Sequence, residues 1–274
     1  MKLAVNYLQE VQELFEEGKI DFIDYIKLYS INGDLSPFDW CANHKDVLFH
    51  GMEGNGPNLA NFNFWENRNI ELQKEYYRIG NVPYISLHID TSDKELLSEV
   101  DTIEIMKKNI EKVREVFNMQ VILENVPARY KKREKDFLAL PEFITKTVNE
   151  LDCGFLFDIG HAKQAIDVLK MDFDEYVKRL PMDRLVEIHL SGVSTTEDGH
   201  IWALHRKMNE DDYKFLEEAI NKYNTLQTVT LEYGAWAFDE ENCNYPIPKY
   251  GVVNEEIKAE AYDQLMRIKE IIKK

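Results

Sequence analysis

Eight short apolar runs, rich in β-branched and aromatic residues, recur along this chain and constrain its fold more than any other feature. They cover residues 3–7, 22–29, 47–50, 84–88, 120–124, 155–158, 185–190 and 228–232. Stretches with helical periodicity lie between most of them, including residues 8–17, 94–117, 141–151, 211–223 and 255–274. Strands that alternate with helices favour a parallel sheet joined by helical crossovers. Eight such units in 274 residues predict an α/β fold, a single (β/α)8 TIM barrel.

A doubly wound open sheet is the alternative architecture. Its usual fingerprint, GxGxxG directly after the first strand, is missing from this sequence. Gly54-Asn55-Gly56 follows the third run instead, and Pro57 comes next, which is typical of a loop. The sequence contains no linker, internal repeat or low-complexity segment. We therefore expect residues 1–274 to form one barrel domain.

Charge and cysteine content exclude several classes of protein. The formal net charge of −17 disfavours binding to a phosphate backbone, so nucleic acid is an unexpected partner. The three cysteines lack CxxC spacing, which argues against a disulfide framework and favours a reducing compartment. No apolar run reaches the roughly 18–20 residues needed to cross a bilayer. Since the first residues also lack a secretory signal, we expect a cytoplasmic protein without a membrane partner.

Polar side chains that can bind metals stand at or just after six of the predicted strand ends. The sixth run, Phe155-Leu156-Phe157, is typical of a buried strand that runs into a loop, and it is followed directly by Asp158, Gly160 and His161. The metal-binding set as a whole is His50, His88, Glu124, Asp158, His161, His189, Asp198, His200 and Glu232. In a barrel of parallel strands these ends converge on one face, where active sites lie.

This combination of groups predicts a metal centre. Four carboxylates that converge without cations would repel one another, and no Lys or Arg stands at these strand ends. Divalent ions would compensate the charge, and imidazole with carboxylate suits zinc, manganese or iron. Nine groups exceed what one ion needs, so we expect two or three divalent ions. The other two histidines, His44 and His205, are predicted to be surface or supporting groups.

Several motifs resemble those of the xylose isomerase-like TIM barrels, the superfamily that includes endonuclease IV. They are His50, His88, "LEN" at 123–125, "DIGH" at 158–161, "HL" at 189–190, "DGH" at 198–200 and "LEY" at 231–233. The resemblance covers nearly the whole chain and implies three metal positions. It places His50, His88 and Glu124 at the first position. It places Asp158, His189 and Glu232 at the second, with Glu124 as the bridge, and His161, Asp198 and His200 at the third.

Within this superfamily the chain is most similar to the DUF692 (UPF0276) branch of multinuclear non-heme iron enzymes. The stretches that carry this likeness are "VLFHG", "YISLH", "ENVPARY", "CGFLFDIGHA", "VEIHLSG" and "DGHIWAL". The resemblance implies oxidative modification of a cysteine-type peptide substrate, iron as the metal and, in some cases, a separate substrate-recognition protein. The branch usually carries Asp-x-Asn-Asn where this chain has Asp158-Ile159-Gly160-His161, and that departure favours a hydrolase-like third site.

Two other chemistries stay open on the sequence. One is a zinc phosphoesterase like endonuclease IV, although the tyrosine expected soon after the first histidine is absent from "HGMEGNGPN". The other is a sugar or sugar-phosphate isomerase or epimerase, in which a carboxylate such as Glu124 would move a proton. Glu124 and His161 are the predicted catalytic residues. The predicted substrate-binding residues are Asn125, Trp202, Tyr233 and Trp236.

Overall fold

Ten strands are present in the computed structural model, which describes residues 1–29, 36–52, 57–91, 97–130, 133–234 and 253–273. They are β1 (Lys2–Asn6), β2 (Tyr25–Leu28), β3 (Asp46–Phe49), β4 (Tyr84–His88), β5 (Gln120–Glu124), β6 (Gly154–Asp158), β7 (Leu185–Leu190), β8 (Gly192–Thr195), β9 (Ile201–Arg206) and β10 (Thr228–Leu231). Eight of them form one parallel sheet, and β8 and β9 form a separate antiparallel pair. Each strand of the parallel sheet overlaps one of the eight apolar runs of the sequence.

The parallel sheet curls into a barrel. Its strand order is β3-β2-β1-β10-β7-β6-β5-β4. The first and last strands of the chain, β1 and β10, pair with each other, and β10 also pairs with β7 because β8 and β9 lie outside this sheet. Between β3 and β4 the structure closes through a bridge that pairs His50 with Ser86, whose hydroxyl donates to the carbonyl of Phe49 at 2.8 Å. The predicted barrel fold is confirmed. That residues 1–274 make a single domain stays a prediction.

Nine helices are described in this structure. They are α1 (Gln9–Glu16), α2 (Ser36–His44), α3 (Ile70–Ile79), α4 (Glu99–Phe117), α5 (Pro141–Glu150), α6 (Ile159–Leu169), α7 (Phe173–Lys178), α8 (Glu210–Lys222) and α9 (Glu255–Lys273). The structure also has short 3-10 helices at Arg133–Ala139 and Met182–Arg184. None of these helices is long and apolar enough to cross a membrane.

Local sequence explains where the barrel helices begin and end. The Ser98 hydroxyl caps α4 by accepting from the amide of Asp101 at 3.1 Å, and Asn118 ends the helix in the left-handed region at φ 50°. At helical spacing, Ala261, Leu265 and Ile268 of α9 are fully buried. Burial of such an apolar stripe is what stabilises an amphipathic helix in a folded domain.

The register of the strands places their polar C-terminal residues beside one another. His88 of β4 lies beside Glu124 of β5, and Asp158 of β6 lies beside His189 of β7. Because parallel strands run the same way, each pair stands at the carboxyl end of the barrel. The predicted convergence of these four groups is therefore built into the sheet.

The segment after β6 differs from the sequence prediction. We expected a loop after this strand, but α6 starts directly at Ile159. Asp158 acts as the N-cap, and its side chain accepts from the amide of His161 at 2.7 Å. Asp is among the best N-cap residues because its oxygen satisfies a free amide of the first turn. The strand-to-helix junction therefore fixes the backbone of Asp158 and His161 together.

Gly160 lets the start of α6 approach the segment after β7. A Cβ at this position would collide with the Ser191 hydroxyl and lie 3.4 Å from the Ser191 carbonyl oxygen. We predict that Gly160→Ala lowers the free energy of unfolding by about 1–3 kcal/mol, the usual cost of overpacking. Urea denaturation of the wild type and the variant measures this difference.

Ser191→Ala provides the control for this prediction, because it removes the hydroxyl that a new Cβ would meet. The double variant should lose less stability than the sum of the two single variants, as expected for residues in contact. Strict additivity would contradict the proposed collision.

Candidate metal centre

Glu124 lies at the centre of a group of imidazoles at the carboxyl end of the barrel. One oxygen, Oε2, is 3.6 Å from His50 Nε2 and 3.3 Å from His88 Nε2. The other, Oε1, is 3.3 Å from His161 Nδ1 and 3.4 Å from His189 Nδ1. Only 1% of the Glu124 side chain is exposed. Four histidines from four different segments therefore surround one buried carboxylate.

Two further carboxylates share the nitrogen of His189. Its Nδ1 lies 3.3 Å from Glu232 Oε1 and 3.7 Å from Asp158 Oδ2. All three side chains are fully buried. His189 therefore connects the Glu124 group with a second group formed by Asp158 and Glu232. Together, the seven residues of this metal centre are His50, His88, Glu124, Asp158, His161, His189 and Glu232.

Several carboxylate oxygens of the centre have no hydrogen-bond donor among the described residues, and this fits ligands of divalent metal ions. Among the described residues, no hydrogen-bond donor reaches either carboxylate oxygen of Glu124 or Glu232, or Oδ2 of Asp158. A buried polar atom without a partner costs about 1–3 kcal/mol, and a charged one costs more. The ligand atoms form three sets, and within each set all the atoms lie within 4.8 Å of one another, which suits binding of a common ion. These sets are His50–Glu124–His189, Glu124–Asp158–His161 and Asp158–His189–Glu232.

The ionisation of the centre follows from its burial and its mixed charges. Burial opposes ionisation of Glu124, but the imidazoles of His88 and His189 outweigh it and hold the pKa of this carboxyl well below its usual range. Burial likewise opposes protonation of His161, yet Asp158 and Glu124 raise its pKa to about 9. The pKa of His189 is raised as well, by Glu232 and Glu124, whereas burial holds the pKa of His50 well below its usual value. Without metal, protons on His161 and His189 therefore supply positive charge. Metal ions would replace those protons, because an imidazole binds metal through a deprotonated nitrogen.

His205 lies beside the centre, where it can serve as the supporting group that was one of its two predicted roles. Its Nδ1 lies 3.6 Å from Glu232 Oε2, and the residue is 8% exposed. His205 follows the apolar part of β9 and has a left-handed backbone with φ of 49°. The eight predicted strands do not include this segment. The apolar run Ile201–Leu204 just before the histidine is the signal that could have identified a strand.

Lys27 also lies close to the centre, although no pattern in the sequence predicts it there. Its side chain is fully buried in the barrel interior, and its Nζ lies 2.9 Å from Glu187 Oε1 and in close contact with His189 Nε2. We expected no Lys or Arg at the strand ends. The cation lies just below them, because Lys27 is in the interior of β2 and its side chain points into the barrel.

Asp198 and His200 lie on the β8–β9 hairpin. The two side chains face each other at 3.5 Å and are 66% and 42% exposed. The ring of His200 packs against Tyr130 at a centroid distance of 4.1 Å, and its Nδ1 lies 3.7 Å from Asp167. These contacts belong to the hairpin and its neighbours, so the structure does not bring this pair together with the metal centre. Their predicted metal-binding role stays a prediction.

The predicted substrate-binding residues lie in different surroundings. The buried amide of Asn125 links β5 to β6 by donating to the Asp158 carbonyl at 3.0 Å and accepting from the Asp158 amide at 2.8 Å. Trp202 is half-buried on β9, 5.0 Å from the ring of Tyr130. Tyr233 is buried, and its hydroxyl contacts Glu260 of α9. Trp236 lies outside the described residues, and no substrate role is tested for any of the four.

Solved structures of similar fold include xylose isomerase-like TIM barrels. A xylose isomerase-type protein from Rhodospirillum rubrum has a TM-score of 0.65 at 12% identity, covering 98% of this chain and 99% of that one. Endonuclease IV from Thermus thermophilus has a TM-score of 0.52 at 14% identity, covering 98% and 100%. At these identities the likeness shows the fold alone.

The family is shown by the sequence. Residues 95–238, just over half of the chain, match the family described as RiPP precursor modification enzyme MbnB/TglH/ChrH, and the chain belongs to that family. A UPF0276 protein from Vibrio parahaemolyticus is 22% identical over 133 residues, covering 47% of this chain and 46% of that protein. The chain thus spans less than half the length of this relative. The predicted branch is confirmed, and the fold resembles that of the predicted superfamily.

We predict that Glu124→Gln lowers the bound metal by at least one ion per chain, because an amide cannot supply two anionic oxygens to neighbouring ions. Metal analysis by plasma mass spectrometry after anaerobic reconstitution measures the loss. Glu10→Gln is the matched control, since Glu10 is also buried but accepts from the amide of Asn254, a bond that Gln can keep. Equal metal content in the two variants would contradict the central role of Glu124.

Proposed function

We propose that this chain is an iron-dependent enzyme that uses O₂ to modify a cysteine-containing peptide. The observation that carries the proposal is the buried carboxylate of Glu124 among four imidazoles in a chain of the RiPP-modifying family. An all-imidazole and carboxylate set suits a borderline metal such as iron and excludes a soft thiolate site. Bound iron would supply the one-electron chemistry through which O₂ oxidises a thiolate substrate.

The residues of the chain have separable tasks in this proposal. Glu124 would help to hold two ions. His50 and His88 face Oε2, whereas His161 and His189 face Oε1. Asp158, His205 and Glu232 extend the site on the side of His189. The chain therefore has enough ligands for at least two ions.

Exposure indicates the side from which substrate would approach. His50, His88 and His161 keep 12%, 16% and 12% of their side chains exposed, whereas His189 and Glu232 are fully buried. A substrate thiolate would therefore reach the centre on the side of these three histidines. The barrel interior would exclude water from the opposite side.

The remaining parts of the proposal concern partners and location. The family suggests a peptide substrate, and the proposal includes a separate protein that would recognise this peptide. The net charge of −17 disfavours nucleic acid as a partner. We propose a cytoplasmic location on the basis of the cysteine pattern and the reducing conditions that thiol substrates and iron require.

A zinc phosphoesterase is the second candidate, and one observation favours it. His161 stands where the Asp-x-Asn-Asn pattern has its last asparagine, and its Nδ1 lies 3.3 Å from Glu124 Oε1. In such an enzyme the site would hold an activated water for attack on a phosphodiester. The strongly acidic chain argues against a long DNA substrate.

Oxygen uptake by the reconstituted protein tests the proposed function. Anaerobically purified protein, loaded with iron, zinc or manganese, is mixed with a library of short peptides that each contain one cysteine. We expect O₂ consumption only with iron and with the cysteine library, and none with the same library carrying serine. Glu124→Gln should abolish the uptake, whereas Glu10→Gln should retain it.

Two outcomes would contradict the oxidase. Cleavage of an abasic-site duplex by the zinc form without O₂, lost in His161→Ala, would establish the hydrolase. Interconversion of sugars by the manganese form, again without O₂, would establish the isomerase.

A further inference from the structure

A layer of polar groups lies beneath the metal centre, inside the barrel. Lys27 of β2 is fully buried there, and its ammonium lies 2.9 Å from Glu187 Oε1. A buried charge is tolerated only when partners replace its lost hydration. Metal binding alone does not explain a lysine buried inside the barrel, since an ammonium is not a metal ligand. Its location directly below His189 suggests what it does.

Glu187 is the most fully hydrogen-bonded carboxylate in this interior. Its Oε1 accepts from Lys27 Nζ at 2.9 Å, from the Thr230 hydroxyl at 2.5 Å and from His189 Nε2 at 3.1 Å. Its Oε2 accepts from the Tyr84 hydroxyl at 3.0 Å. Both oxygens thus have donors, in contrast to the bare oxygens of Glu124 and Glu232. Glu187 is therefore an anchor within the protein and is not available as a ligand.

The ring of His189 joins the two layers. Its Nε2 contacts Lys27 and Glu187 below, whereas its Nδ1 lies 3.3 Å from Glu232 and 3.4 Å from Glu124 above. Glu187 and His189 are two residues apart on β7, so both side chains point into the barrel. The groups that hold Nε2 therefore decide where Nδ1 points.

We propose that Lys27 is a positioning residue of the metal centre. The Lys27–Glu187 ion pair fixes the Glu187 carboxylate, and this carboxylate accepts from His189 Nε2 and holds the ring so that Nδ1 stays directed at Glu124, Asp158 and Glu232. Lys27 touches neither metal nor substrate and acts through His189. This inference rests on the proposed metal centre and adds a residue to it.

The expected change in metal affinity can be estimated from metal sites in other proteins. Groups that orient a metal-binding histidine through its other nitrogen typically change metal affinity 10–100-fold when they are replaced. A lysine that only stabilised the fold would change the melting temperature and leave metal affinity alone. The two possibilities are therefore separable by measuring binding and stability on the same variants.

The chain offers a matched control lysine. Lys258 of α9 is 8% exposed in its side chain and lies 2.6 Å from Glu13 and 2.7 Å from Glu17, so it is also an ion-paired, largely buried lysine. It joins α9 to α1 and to the residue that follows α1, outside the barrel interior. Lys258→Met should lower the melting temperature while Co²⁺ affinity stays within about twofold of the wild type, because its ion pairs tie α9 to Glu13 and Glu17 and not to the carboxylates beside His189.

Titration with Co²⁺ alone, followed by competition with a chromophoric chelator and by visible absorption, tests the proposal. Lys27→Met should weaken Co²⁺ binding by about 10–100-fold and change the ligand-field spectrum, which reports coordination geometry. Glu187→Gln should have a similar effect. The double variant should bind Co²⁺ at most about threefold more weakly than either single variant, since both residues act through His189.

Each outcome bears on a definite part of the account. Lys27→Met with wild-type affinity and spectrum, or with tighter binding, would overturn the positioning role while leaving the metal centre in place. A wild-type protein that binds no Co²⁺ would overturn the proposed centre itself. If Lys27→Met does not fold, Thr230→Val removes a single donor to Glu187 without adding charge and should still weaken binding, and an unchanged affinity there would overturn the proposal.

Discussion

The buried carboxylate of Glu124 is the group on which the rest of the site depends. Four imidazole nitrogens lie within 3.6 Å of it, yet neither of its oxygens accepts a hydrogen bond in the described part of the chain. Taking a carboxylate out of water costs several kcal/mol unless cations and donors replace the solvent. The barrel offers imidazoles instead of ammonium or guanidinium groups around it. Such an arrangement suits a carboxylate that is shared by metal ions.

The interior of the barrel is divided into two polar layers with opposite properties. In the lower layer Glu187 receives donors from Lys27, Tyr84 and Thr230, and its charge is balanced. In the upper layer Glu124 and Glu232 keep bare oxygens beside imidazoles. His189 is the only described side chain with recorded contacts to carboxylates of both layers. A rigid lower layer beneath a reactive upper one is how a barrel can hold ligands at fixed positions.

The sequence predicted the barrel and most of the centre because both follow from local patterns. Apolar runs of strand length, each closed by a His or a carboxylate, locate the strand ends, and parallel topology then brings those ends together. The position of His205 beside Glu232 could not be read from the sequence because its strand belongs to a hairpin outside the repeating βα pattern. Lys27 was missed because a lysine within a strand is usually solvent-facing, and only the barrel's closure shows that its side chain points inward. The start of α6 was missed because Asp158 serves both as a predicted ligand and as a helix cap, and the second role cannot be read from ligand spacing.

The central claim is that Glu124 is shared by at least two metal ions at the carboxyl end of the barrel. Anomalous diffraction from crystals of the anaerobically iron-loaded protein, collected on both sides of the iron absorption edge, tests it most directly. The account predicts at least two anomalous peaks, with one oxygen of Glu124 at about 2.0–2.2 Å from each, the range typical of metal–carboxylate bonds. A single peak, or peaks confined to the β8–β9 hairpin beside Asp198 and His200, would contradict it.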